Sequence, residues 1–309
     1  MLELARSFMS RAIGPFDVEK KLSTGASAEL LLAHYKDRPQ PRLVLKVQLT
    51  QGISDDQRRT LESILREEVE HLKRWRHPGI VRIFPFRVNN RSDEKPCYIA
   101  TEPGWAGQPW YFALEYLSGG RLSDHLGKIR YYPLGWRLEL FYQLVLVVDY
   151  LHQQGYAHCD LKPDNIMFRI APDAGVVPQP VLVDFGSVMP KEAFSEHITA
   201  SLKYAAPELV PYLLRPDVGV RSDPNLKPWR ADVWALGAIF FEIVTGRPMV
   251  NATNEHGAAT IIRDQKFDPI GDEPDEIDRL FRFILQKRPP TEILRTIMEE
   301  QLSIRLPYI

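Results

Sequence analysis

The 309-residue chain is 44% hydrophobic and 26% charged, an ordinary globular composition that excludes fibrous and disordered classes. Its 39 Lys and Arg against 40 Asp and Glu leave a formal net charge of -1, so no basic field points to nucleic acid or an anionic membrane surface. Cys97 and Cys159 are the only cysteines, too few for a disulfide scaffold or a cysteine-built zinc site, and the eight His show no paired ligand spacing. Metal held by oxygen ligands stays open.

From the N-terminus, Met1 to Arg11 lacks an apolar run long enough for a signal peptide and reads as a short amphipathic helix carrying Glu3 and Arg6. Phe16–Leu22, Leu30–Tyr35 and Arg42–Gln48 are strand-like runs separated by Ser23-Thr24-Gly25 and Asp37-Arg38-Pro39, which predicts an antiparallel meander. A helix is expected from Ser54, where Ser54 and Gln57 have capping-box spacing, to about Trp75, before His77-Pro78-Gly79 stops it. Leu61, Leu65, Leu72 and Trp75 form its apolar face. Glu68 falls on that same face, and a carboxylate there demands a cation opposite it.

Val81–Val88 and Trp110–Tyr116 read as further strands, and Ser118-Gly119-Gly120 as a boundary between two lobes. Helices are expected at about 136–154, 229–245, 275–287 and 291–302, with 229–245 apolar nearly all round and so central. The longest apolar stretches, 138–151 and 233–244, carry or abut charges and fall short of the roughly 20 residues of a membrane helix. We therefore expect no membrane span and a soluble, cytoplasmic protein in a reducing compartment, with the nucleus left open. Ala171–Pro180 and Pro211–Pro228 are Pro- and Asp-rich and read as loops.

The chemistry concentrates in His158-Cys159-Asp160-Leu161-Lys162-Pro163-Asp164-Asn165 and in Val183-Asp184-Phe185-Gly186, at the end of an apolar run. Phosphoryl transfer from a nucleotide needs one carboxylate to orient the attacking hydroxyl, and an amide plus a second carboxylate to hold Mg²⁺. Asp160, Asn165 and Asp184 supply that set in order. Either fragment alone is as readily a polar turn, but the two together are hard to explain as packing.

With these motifs the chain resembles the eukaryotic-type protein kinase family, serine/threonine branch, over about Phe16 to Leu302. The resemblance implies an α+β, bilobal fold: an N-terminal extension over 1–15, a small antiparallel β-sheet lobe with one long helix over 16–117, and a larger mainly helical lobe over 118–309. The catalytic domain would run from 16 to 302, leaving regulation to protein partners, the 211–228 insertion or larger assemblies. Val44-Leu45-Lys46 matches the family's strand lysine, so Lys46 would contact the α- and β-phosphates of ATP and pair with Glu68. Asp160 would be the catalytic base, Lys162 would stabilise the transferring phosphoryl group, and Asn165 and Asp184 would hold Mg²⁺. Leu22, Gly25, Leu30, Val44, Lys46, Leu114, Glu115, Leu117, Met167 and Asp184 would meet the nucleotide, with Leu114 as gatekeeper and Glu115 and Leu117 acting through their backbones. Lys162, two residues after Asp160, and Ser201 before Ala206-Pro207-Glu208 imply protein Ser/Thr hydroxyls as acceptors. Asp164 reads either as a loop cap or as a residue favouring a basic side chain near the acceptor. Arg288 stands where the family pairs an arginine with Glu208.

The chain departs from the pattern at three places. Ser23, Gly25 and Ala28 replace three glycines, which implies a weaker grip on phosphate. Val44 replaces an alanine. Cys159 replaces the arginine that reads a phosphate on the activation loop, implying activity independent of phosphorylation at Ser195 or Thr199 through that contact. Two other readings stay open: a pseudokinase or nucleotide-binding allosteric scaffold, and a small-molecule phosphotransferase, the latter disfavoured by the intact Ala206-Pro207-Glu208.

Overall fold

The computed structural model describes residues 11–89, 92–192, 194, 200–215, 226–271 and 273–305. The chain divides into two units, one formed by the residues up to Arg76 with Val81–Tyr116, the other by His77–Ile80 and the residues from Leu117 onward. The helix expected over Met1 to Arg11 and the sites Ser195 and Thr199 fall wholly or almost wholly outside the described residues.

The first unit is built on an antiparallel sheet of β1 (Arg11–Ile13), β2 (Phe16–Thr24), β3 (Ala28–Tyr35), β4 (Arg38–Gln48), β5 (Ile83–Phe84), β6 (Ala100–Thr101) and β7 (Trp110–Glu115). Its order is β1-β2-β3-β4-β7-β5, with β6 also on β7. The strands alternate as a half-buried sheet should. Leu31, Ala33, Leu43, Leu45, Val47, Tyr111 and Ala113 pack on one face with Phe16, Val18 and Phe86. The pairs Leu32↔Val44, Leu30↔Lys46, Val44↔Leu114 and Lys46↔Phe112 occupy the other face.

Helix α1 (Asp55–Arg74) carries the expected cap. Ser54 Oγ accepts from Gln57 N at 3.2 Å, and Gln57 Oε1 accepts from Ser54 N at 2.8 Å. Leu65, Glu68, Val69 and Leu72 are its buried side.

In the second unit, α2 (Leu122–Ile129), α3 (Leu134–Gln153), α4 (Val210–Leu214), α5 (Pro228–Thr245), α6 (Glu255–Asp264), α7 (Asp275–Lys287) and α8 (Thr291–Arg305) surround short strand pairs. These pairs are β8 (Tyr156–Ala157) with β11 (Met189–Pro190), and β9 (Ile166–Phe168) with β10 (Pro180–Leu182). Helix α5 is buried from Ala231 through Val244 and closes on Gly246 in the left-handed region (φ 68°), whose N–H donates to Glu242 O at 2.8 Å.

Four expectations need correction. The strand expected over Val81–Val88 shrinks to Ile83–Phe84, because Pro85 offers no N–H to the ladder; Phe86 recovers only an isolated bridge to Cys97. Of Asp37-Arg38-Pro39 only Asp37 lies in the turn that separates β3 from β4; Tyr35 pairs Arg38, and β4 begins there rather than at Arg42. Residues 38–42 precede the pairing with β7, which starts at Leu43, and the pairing with β3 is irregular between Arg38 and Leu43; such an edge tolerates proline. The segment expected as a loop over Pro211–Pro228 begins inside α4, where Pro211 occupies the first turn, a position proline suits. Helices α2 and α6 had no counterpart in the sequence reading.

Candidate active site

In the first unit, the pleat that sends Leu45 and Val47 into the core sends Lys46 to the opposite face. There its Nζ donates to both carboxylate oxygens of Glu68 on α1, at 2.9 and 2.7 Å, with the side chains 7% and 1% exposed. This is the cation that Glu68 was expected to require. Leu30, Val44 and Leu114 share the face of Lys46 by register. Leu22 sits at a register shift of β2 and is 39% exposed.

Gly25 opens the turn to β3, and its N–H donates to Ala28 O at 2.8 Å, so that amide closes the turn. Glu115 pairs Leu43, on the face opposite Lys46. Its N–H donates to Arg82 O, and its carboxylate accepts from Arg82 N, Nε and Nη2 at 2.9 to 3.2 Å. The Glu115 side chain is therefore committed to Arg82, and any meeting with a base falls to its main chain.

In the second unit, the single turn Pro163–Asn165 brings the catalytic-loop candidates together. Asp160 Oδ2 accepts from Lys162 Nζ at 2.6 Å and Asn165 Nδ2 at 3.0 Å, while Oδ1 accepts from Ser201 N and Ser201 Oγ, each at 3.0 Å. Lys162 Nζ also donates to Ser201 Oγ at 2.9 Å. Because Asn165 directs its amide nitrogen to Asp160, its Oδ1 is turned toward another role. Val183 N donates to Asn165 O at 3.0 Å, which sets Asp184 one residue from that contact. Asp184 has φ 62°, a left-handed turn with Phe185 buried behind it, and the residue itself is exposed. Met167 lies on β9 and bridges Arg121. Leu117 is buried at the start of this unit.

What holds the loop is a residue inside the helix expected over 229–245, with no role of its own in the sequence reading. Asp232, 1% exposed, accepts from His158 N at 2.7 Å and Cys159 N at 2.8 Å, and lies 2.9 Å from His152 Nε2. The available signal was an acid in an otherwise apolar helix. His158 receives Asp160 N at Nδ1 and faces Val183 O from Nε2, both at 3.3 Å, tying the loop to the strand before Asp184. Cys159 is buried with φ 65°, and burial raises its thiol well above the ordinary value, so it is neither cation nor nucleophile. Glu208 meets Arg288, as expected.

Among the described residues no three His, Cys, Asp or Glu group into a metal site. An amide oxygen and one carboxylate suit Mg²⁺, which keeps waters and phosphate oxygens as its remaining ligands. No helix among the described residues is long and apolar enough to cross a membrane.

The protein kinase domain model matches residues 16–305, nearly the whole chain, so the chain belongs to the protein kinase family. It is similar to the CBL-interacting serine/threonine-protein kinase 21 of Arabidopsis thaliana, 32% identical over 61% of this chain and 37% of that protein. It is also similar to the SNF-related serine/threonine-protein kinase of Homo sapiens, 27% identical over 94% of this chain and 33% of that protein. The serine/threonine-protein kinase ATG1a of Arabidopsis thaliana is 26% identical over 91% of this chain and 40% of its own length. The matched regions therefore span well under half of these three relatives.

Proposed function

We propose that this protein kinase transfers the γ-phosphoryl group of ATP to Ser or Thr hydroxyls of protein substrates. The observation that carries the reading is the setting of Asp160, whose Oδ1 accepts a hydroxyl, that of Ser201, at 3.0 Å. An incoming substrate hydroxyl would make the same kind of contact. Asp160 orients that hydroxyl and takes its proton as the oxygen bonds to phosphorus and the bridging oxygen departs with ADP. Lys162, 2.6 Å from Asp160, balances charge on the transferring group, and Lys46, fixed by Glu68, holds the α- and β-phosphates. Asn165 Oδ1 and the Asp184 carboxylate hold Mg²⁺, which when bound neutralises charge on the phosphates. Leu22, Gly25, Leu30, Val44, Leu114, Leu117, Met167 and the main chain of Glu115 contact the nucleotide.

Cys159 brings no cation to receive a phosphate, so activity is independent of activation-loop phosphorylation through that position. Purified protein with radiolabelled ATP, Mg²⁺ and a generic basic protein tests the transfer. Incorporation abolished by Asp184→Asn is expected. Nucleotide binding without incorporation would make the chain a binding module instead. Phosphatase treatment that abolishes activity, with activity restored only by phosphate on Ser195 or Thr199, would overturn the independence from phosphorylation.

A further inference from the structure

Resting on the transfer reading, a finer question is what holds the segment between Asp184 and Ser201, since on that reading both of its ends reach the reacting groups. Its first half is tied down through the main chain. Met189 and Pro190 pair Ala157 and Tyr156 on β8. Lys191 N donates to Gly155 O at 3.0 Å, Trp229 N at the start of α5 donates to Lys191 O at 3.3 Å, and Lys227 Nζ donates to Glu192 O at 3.0 Å. At the far end, Ser201 N and Oγ each donate to Asp160 Oδ1 at 3.0 Å.

Phe194 lies between these anchorages, seven residues before Ser201. Half-buried, it packs against a small apolar cluster of Ala157, Cys159 and Met189, which are buried. Cys159 is a fixed seat for it, because Asp232 accepts its N–H at 2.8 Å from inside α5, and Asp160 follows directly in the chain. The cluster brings no cation, and the Asp232 carboxylate stands behind the Cys159 main chain, so an anion placed here would lose its water without gaining a partner. A phenyl ring has no such cost and gains by leaving water.

We propose that Phe194 is a positioning residue: seated on Cys159 and Met189, it fixes the course of the chain into Ser201 and so keeps the Ser201 hydroxyl and amide on Asp160. The apolar seat does by contact what a phosphate would do by charge, and it needs no covalent modification. It acts on the Asp160 end alone, because Asp184 is followed by the buried Phe185 and by the β8–β11 pairing, which hold without Phe194.

Steady-state transfer to a peptide with one Ser acceptor, using ATP, Mg²⁺ and enzyme treated beforehand with phosphatase, tests this beside urea unfolding of each variant. Phe194→Ala should lower kcat about tenfold, the order of a half-buried phenyl contact, while the KM for ATP stays within about twofold. Phe194→Leu, which keeps an apolar group on the seat, should hold kcat within about threefold of the wild type. Met189→Ala should also lower kcat, and the double variant with Phe194→Ala should fall short of the product of the two single effects, because both remove one contact. Phe194→Ala with wild-type kcat, a fall in kcat no larger than the loss of folded protein, or single effects that multiply would overturn the role of Phe194 and leave the transfer standing. A treated wild type that phosphorylates no peptide would overturn the reading on which the assignment rests, and the assignment with it.

Discussion

In the first unit, Lys46 and Glu68 are joined by side-chain contacts between a strand and a helix 22 residues apart in sequence. In the second, Asp160 stands on a loop whose main-chain N–H groups at His158 and Cys159 are fixed by Asp232 from inside α5. A side-chain ion pair between two elements is sensitive to where the helix lies, whereas a loop bonded through its backbone to a buried helix moves only if the core moves. The first arrangement thus suits adjustment and the second suits permanence, a contrast that substitution can break.

Asp232→Ala should have the largest effect. It leaves the buried N–H groups of His158 and Cys159 and the His152 ring without their acceptor, at about 1 to 3 kcal/mol each, or about 4 kcal/mol together. Urea denaturation reads this loss. A cost below about 1 kcal/mol would mean that the loop does not depend on α5. Glu68→Gln should cost about 3 kcal/mol, because it removes one partner's charge from the buried Lys46–Glu68 pair. Lys46→Met with Glu68→Leu should recover most of it, since an apolar pair needs no desolvated charge. If the double variant is as unstable as the single one, the ion pair is not what Glu68→Gln breaks.

Glu242 sharpens the contrast, being a buried helix acid met by a phenol rather than a cation. Tyr204 Oη lies 3.1 and 3.3 Å from its oxygens, and burial pushes the carboxyl up from 4.5 to about 7. A carboxyl raised in the fold binds its proton more tightly there than in the unfolded chain. Its contribution is therefore fully present below about pH 4.5 and is lost as pH rises to about 7. Between pH 5 and 8 the wild type should lose about 2 kcal/mol more than Glu242→Gln, measured by urea unfolding at each pH. Parallel curves would show that Glu242 titrates normally.

The parts of this molecule that are legible in sequence are those whose physics is local. The cap of α1 lies within four residues, Ser54 to Gln57, and the chemistry of Asp160, Lys162 and Asn165 lies within six. The need of Glu68 for a cation could be read from helical spacing, but that Lys46 answers it came from the family resemblance. Asp232 and Glu242 were visible as acids in an apolar helix, yet nothing in the spacing says that one grips main-chain N–H groups 73 and 74 residues away and the other a tyrosine. Helix α2 has only eight residues, too few for a period to stand out, and Pro85 and Pro211 misled in opposite directions. Pro85 interrupted a pattern that looked like a strand, and Pro211 opened a helix in a segment that looked like a loop.

The turn after β2 gives the smallest effect and the most direct test of the glycine argument. Glycine is required where φ is positive or where a Cβ has no room. Gly246 meets both conditions, with φ 68° and an added Cβ 2.5 Å from the Arg130 side chain, so Gly246→Ala should destabilise by about 1 kcal/mol or more. Gly25 meets neither. Its φ lies outside the left-handed region, and the nearest atom to an added Cβ is Ala28 O at 3.5 Å, an ordinary contact. Its N–H already closes the turn on Ala28 O, a bond that alanine makes equally well. Gly25→Ala should therefore raise stability by about 0.4 to 1 kcal/mol through the unfolded chain and change the KM for ATP by less than about twofold. A KM raised tenfold at unchanged stability would show that the turn opens to cradle phosphate and that this one remaining glycine still does the work of three.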